Sequence, residues 1–282
     1  MGKLGQLAGN SKTELGGKVY PLLSPSTTDV SLFGAKAANL AKAAQLGFDV
    51  PEGLAVSRVC TGNEFALIAQ EIINELSPPV AVRSSAINED SAVKAFAGQF
   101  KTCLGIRSTA DLEHAFAEVK GSGSTDLFQI NHSEAVSPEQ IAVLIQRMVN
   151  ATRAGIAFSR DPSTGESKVI IESSYGLGEP VVHGDVTPDS IDYLNDGTFK
   201  TFIGRKSIQV TLEDNGIRTK DTTTEDTRRC SLTDEEIKEI ANLAKKVERD
   251  FGFAADIEWA LDVKGILWLL QARPITTINN QN

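Results

Sequence analysis

The residues of this chain best suited to chemistry lie in the stretch ADIEWALDVKGILWLLQARPI, from Ala255 to Ile275. Apolar and polar residues alternate on either side of Lys264 and Gly265, the pattern of two strands joined by a tight turn. With a two-residue turn, Glu258 faces Gln271 and Asp256 faces Arg273, all on one side of the ribbon. Trp259, Leu261, Trp268 and Leu270 then fill the other side. Two carboxylates, an amide oxygen and a guanidinium grouped in this way suit Mg2+, a hard cation that takes oxygen ligands, with Arg273 placed to hold a phosphate oxygen. The same alternation also fits a solvated charged face on which Asp256 and Arg273 form a cross-strand salt bridge.

Five other places could hold a polyphosphate and its nucleoside. Arg83 ends the apolar run PVAVR, where a strand can deliver a guanidinium into a cleft to grip two phosphate oxygens; a rim salt bridge is the plainer alternative. In AFAGQF, Gly98 and Gln99 offer small-residue backbone that amides could bring close to phosphates, or an ordinary turn. The Walker pattern GxxxxGK[ST] is absent. Lys36 sits in the first turn of a helix opening at Gly34-Ala35, where amides and an ammonium can jointly hold an anion, although a surface lysine would look the same. Gln146, Arg147, Met148 and Val149 end an apolar strand, and their backbone could meet an adenine edge; Met148 fits a core position equally well. Glu179, in GLGE, could bond ribose hydroxyls or order a metal-bound water, or merely belong to a strand-to-turn connection.

These groups need elements to carry them. Helices are expected at Ala35 to Leu46, Asn63 to Leu76, Ala110 to Lys120 and Thr233 to Asp250, the last with a capping box between Thr233 and Glu236. Pro79 to Arg83 reads as a strand emptying into a long polar loop. Ile141 to Met148, Ala154 to Ser159 and Lys168 to Ser173 read as strands of one sheet. The Gly-, Ser- and Asn-rich run between Gly121 and Gln140 marks a connection between lobes. The expected organisation is α+β: a loose start at 1–16, a first lobe at 17–140 and a second at 141–282.

Composition narrows the function. A chain of 282 residues with 41% hydrophobic residues can bury a core without staples. Its formal charge of -9 disfavours nucleic acid as a partner. Cys60, Cys103 and Cys230 form no CxxC or Cys/His cluster, so neither a disulfide framework nor a zinc site is expected. With no apolar run of about 18 residues and no secretory-type leader, the expected setting is cytoplasmic, away from membranes.

Seven segments in order, GAKAANLAKAAQLGFDVPEGLAV, AVRSSAINEDS, AFAGQF, VLIQRMV, AGIAFSRDPSTGE, GLGEPVVHGDVTPD and DIEWALD with LLQARPIT, resemble the ATP-grasp nucleotide-binding domain of the phosphoenolpyruvate synthase and pyruvate phosphate dikinase family, which includes rifampin phosphotransferase. The resemblance covers nearly the whole chain. It implies an ATP-grasp-like fold with the nucleotide between two lobes, and ATP and Mg2+ as ligands. By resemblance, Lys36 and Arg83 hold the ATP phosphates, Gly98 and Gln99 belong to a loop over them, and QRMV is the adenine hinge. Glu258 and Gln271 become the metal ligands, with Asp256 supporting them and Arg273 on the phosphates. Lys36, Arg83 and Arg273 would thus carry the catalytic work of charge neutralisation. The implied partners are a phosphohistidine-carrying domain or subunit and an acceptor-binding domain. Neither is expected within this sequence, which stops just after ARPIT, and His114, His132 and His183 match no phosphohistidine motif. A ligase forming an acyl phosphate and a non-catalytic ATP-binding module are the rival expectations.

Overall fold

Side-chain caps set where the helices begin. In the computed structural model, which describes residues 15–87, 101–122 and 138–276, Asp29 accepts from Ser31 N ahead of α1 (Val30–Gln45). Thr61 and Glu64 form a capping box at α2 (Gly62–Leu76), and Ser108 caps α3 (Thr109–Gly121). A single turn, α4 (Glu179–Val182), precedes α5 (Asp234–Phe251), where Thr233 and Glu236 make the expected capping box. Each such cap is worth about 1 kcal/mol. Helix α5 buries Ile237, Ile240, Ala241, Ala244 and Val247 along one face and stops at Gly252, whose φ of 82° suits a residue with no Cβ.

Strands β1 (Val19–Pro21), β2 (Gly53–Val56), β3 (Val80–Ala86), β4 (Thr102–Ile106) and β5 (Ile141–Arg147) form an antiparallel sheet in the order β1-β2-β5-β3-β4. A second sheet uses β6 (Ala151–Phe158), β7 (Val169–Tyr175), β8 (Asp189–Tyr193) and β9 (Phe199–Phe202). After a separate ribbon of β10 (Ile208–Glu213) and β11 (Gly216–Asp221), it is completed by β12 (Ala255–Asp262) and β13 (Leu267–Pro274). Its order is β13-β12-β6-β7-β8-β9, again antiparallel. The architecture is α+β, as expected, with two principal antiparallel sheets.

One strand lies in the other sheet from that expected. Ile141 to Met148 was expected beside 154–159 and 168–173, but β5 runs between β2 and β3 at the centre of the first sheet. Its run IAVLIQ is buried on both faces, as a central strand covered on both sides requires. Leu144 packs into a core shared with α1, while Val143 and Ile145 pack under α2 and α3. The change of sheet therefore falls at Met148 to Asn150 rather than ahead of Ile141.

Helix α1 ties the two sheets together. Phe33, Leu40 and Ala41 share one core with Leu144 on one side and Ile257, Trp259 and Ala272 on the other, and Asn39 Nδ2 donates to Ala272 O at 3.0 Å. At the far side, the β10–β11 ribbon meets the first sheet: Arg107 Nη2 donates to Glu213 O at 2.7 Å. The segment leading into the ribbon is anchored by the fully buried pair Lys206 and Asp189. No helix among the described residues is long and apolar enough to cross a membrane.

Candidate functional site

Lys36 owes its place to Gly34. At Gly34 the backbone turns to φ 72° and ψ 170°, so the regular part of α1 starts at Ala35. A Cβ on Gly34 would lie 2.0 Å from Ser85 O, which makes glycine the residue that lets α1 press onto the end of β3. Ser85 Oγ accepts from Ala37 N at 3.0 Å, and Lys36 Nζ donates to Ser84 O at 3.0 Å. The ammonium is thus buried and lines a cavity.

Arg83 is the one partly exposed residue of β3. Its Nη2 donates to Glu258 Oε2 at 2.6 Å and to Gln271 Oε1 at 2.9 Å, and its Nη1 donates to Leu270 O at 2.8 Å. A side chain of the first sheet thereby meets the terminal hairpin of the second, 175 residues further along the chain.

In that hairpin Glu258 stands opposite Gln271 and Asp256 opposite Arg273, the pairs read from the sequence. The route to this register differs from the expected one. The connecting loop has three residues, Val263 to Gly265, closed by Asp262 N on Ile266 O at 3.1 Å, with Gly265 at φ 77°. A three-residue loop ending in a left-handed glycine is a common alternative to the two-residue turn. It pairs Leu261 with Leu267 and Trp259 with Leu269; Leu270 is then an extra residue that restores the pairing at Glu258. The apolar face is consequently Trp259, Leu261, Leu267 and Leu269, packed against α5. Trp268 and Leu270, expected there, lie elsewhere: Trp268 pairs across from Ala260 and gives its indole N–H to Asp262, and Leu270 lines the cavity.

The cavity has a volume of about 280 Å³. Lys36, Arg83, Gln146, Arg147, Met148, Val149, Glu179, Glu258, Gln271 and Arg273 all line it. Asp256 stands behind them, bound twice by Arg273 at 2.8 Å through Nε and Nη2. Gly98 and Gln99 lie outside the described residues. The Arg147 guanidinium is held by Leu76 O and Glu52. At the end of β5, Arg147 N donates to Glu52 O and Met148 N to Pro79 O. Val149 N, which follows, has no protein partner among the described residues.

Sequence reasoning named Met148 and Val149 but missed the apolar wall they belong to: Leu104, Ala154 and Leu177 pack with them in one cluster facing the cavity. Leu104 comes from β4, a strand whose alternation is too short to stand out. His183 lines the cavity from the end of α4, His114 is exposed on α3 beside Glu118, and His132 lies outside the described residues.

Burial and charge act on the carboxylates in opposite ways. Burial pushes Glu258 up, but Arg83, Lys36 and Arg273 together outweigh it and hold the carboxyl below the ordinary carboxylate range. For Asp256 burial wins over Arg273, and its pKa is raised. Glu172, aligned with Glu258 across Ile156 of β6, is raised by burial and by the charge of Asp256. The surrounding cations therefore favour the ionised form of Glu258, whereas burial disfavours that of Asp256.

The chain is similar to known proteins. The family model described as "Pyruvate phosphate dikinase, AMP/ATP-binding domain" matches residues 61–282. An "Uncharacterized phosphotransferase YvkC" of Bacillus subtilis is 33% identical over 88% of this chain and 34% of its own length. A "Probable phosphoenolpyruvate synthase" of Methanothermobacter thermautotrophicus is 38% identical over 71% of this chain and 30% of its own. The chain thus spans about a third of the curated relatives it matches. Among solved structures, the biotin carboxylase domain of the Hydrogenobacter thermophilus 2-oxoglutarate carboxylase aligns with a TM-score of 0.45 at 16% identity, covering 86% of this chain and 40% of that one. With the match over residues 61–282, this chain belongs to the pyruvate phosphate dikinase AMP/ATP-binding domain family.

Proposed function

We propose that the cleft binds ATP with Mg2+ and that the chain is the phosphoryl-donor part of a phosphoenolpyruvate synthase-like phosphotransferase. One observation carries this reading: Lys36 and Arg83 from the first sheet's side converge with Glu258, Gln271 and Arg273 of the hairpin on one cavity. Hard oxygen donors with room for waters and phosphate oxygens suit Mg2+, and Glu258 Oε2 and Gln271 Oε1 aim at a common point, since one Arg83 nitrogen bonds both. When bound there, the metal supplies charge neutralisation on the phosphates. Lys36, Arg83 and Arg273 hold the phosphate oxygens in line, which is the larger part of catalysing phosphoryl transfer. The apolar wall takes the adenine, with Val149 N as donor, and Glu179 faces the ribose. The phosphoryl acceptor in this reading is a histidine on a separate domain or subunit, and AMP and phosphate are released.

Product analysis tests the reaction. Incubation with ATP, Mg2+ and a histidine-bearing domain from a longer relative is expected to give AMP, phosphate and acid-labile phosphohistidine. ADP with an acyl phosphate or amide product would instead assign a ligase, and unchanged ATP that still binds would assign a sensing module.

A further inference from the structure

Glu258 Oε2 and Gln271 Oε1 both accept from one nitrogen. Arg83 Nη2 lies 2.6 Å from the first and 2.9 Å from the second, and Nη1 is held by Leu270 O at 2.8 Å. A divalent cation bound to both oxygens competes for the space that Nη2 occupies. Two positive groups cannot share it, because repulsion at contact distance in a largely buried cleft is poorly screened. The neighbours sharpen the conflict. Lys36 and Arg273 also act on Glu258, so a divalent cation arriving alone must settle among three cationic side chains that already neutralise that carboxylate. A triphosphate brings its own negative charge and offers Arg83 another bidentate partner.

Building on the reading of the cleft as a Mg-ATP site, we infer that Arg83 is an exchangeable plug on the metal ligands. It bonds Glu258 and Gln271 until nucleotide phosphates draw it away, so cation and nucleotide bind together and cation alone binds poorly. By linkage, nucleotide tightens cation binding by the same factor as cation tightens nucleotide binding.

The probe is Mn2+, read by electron paramagnetic resonance on the 282-residue chain, alone and with a non-hydrolysable ATP analogue. Without nucleotide, Arg83→Gln is expected to bind Mn2+ about tenfold more tightly than the native chain. With the analogue, the native affinity is expected to rise by a larger factor than that of the variant. Arg83→Lys keeps the charge but cannot span both oxygens and Leu270 O, and its Mn2+ affinity should fall between the two; it carries the comparison if thermal melting shows Arg83→Gln to be unfolded. Mn2+ affinities without nucleotide that are equal, or weaker in the variants, overturn the exchange. If the native chain binds Mn2+ and the analogue together in that case, only the exchange fails; if it binds neither, the Mg-ATP reading fails with it.

Discussion

Arg83 Nη2 lies 2.6 Å from Glu258 Oε2, and both side chains are largely buried, at 12% and 17% exposure. This ion pair joins the strand β3 of one sheet to the strand β12 of the other. Removing one partner leaves the other charge in a cleft with little water, a loss more costly than the net worth of the pair. Arg83→Met is expected to lower unfolding free energy by about 2–4 kcal/mol, with Glu258→Gln similar. The double variant should lose at least about 1 kcal/mol less than the sum of the two. Denaturant titration of all four chains measures this; strict additivity would mean that the pair does not couple the sheets.

Gly34→Ala tests the placement of Lys36. The added methyl meets Ser85 O at 2.0 Å, at a φ of 72°, so α1 must back away from β3. Loss of about 2 kcal/mol or more is expected, from strain and the close contact together. Because Lys36 moves with the helix, affinity for ATP should fall as well. A variant as stable as the native chain, with unchanged ATP affinity, would show that the close approach does not position the lysine.

Acid should weaken the start of α2 before the rest. Glu64 is brought down to about 2, first by Lys18 and then by the backbone and hydroxyl of Thr61. A depressed carboxylate contributes stability above its unfolded value of 4.5 and loses it as pH falls toward 2. The difference in stability between the native chain and Glu64→Gln should therefore be constant above about pH 5 and shrink steadily below it. A difference that does not change between pH 5 and pH 2 would remove the capping box and Lys18 as its source.

How the hairpin was read shows what the sequence could reveal. Alternation in ADIEWALD and LLQARP gave the facing pairs Glu258 with Gln271 and Asp256 with Arg273, and those pairs are present. The agreement arises from two departures that cancel: the loop is one residue longer than expected, and Leu270 is inserted as a bulge. Near the turn nothing cancels, so Trp268 and Leu270 were placed on the wrong face. A bulge leaves no mark in hydrophobic alternation, because it is fixed by what the strand must meet, here the guanidinium that takes Leu270 O.

The start of α5 was legible because its cap is local: Thr233 and Glu236 lie within one turn of each other. The Thr61 and Glu64 box at α2 is equally local but was not read. The sheet of β5 was not legible, because a strand apolar on both faces carries no sign of which neighbours it will find. The buried pair Lys206 with Asp189 and the contact of Arg107 with Glu213 O were hidden for the same reason: each is settled by packing between distant segments.

The most direct test of the shared cleft is calorimetric titration of ATP with and without Mg2+ into the native chain, Arg83→Ala and Glu258→Ala. One cleft that draws cations from the first sheet and oxygen donors from the hairpin requires both variants to lose about tenfold or more in Mg-ATP affinity, about 1.4 kcal/mol, with the Mg2+ dependence lost in Glu258→Ala. Native-like Mg-ATP binding by both variants would contradict it.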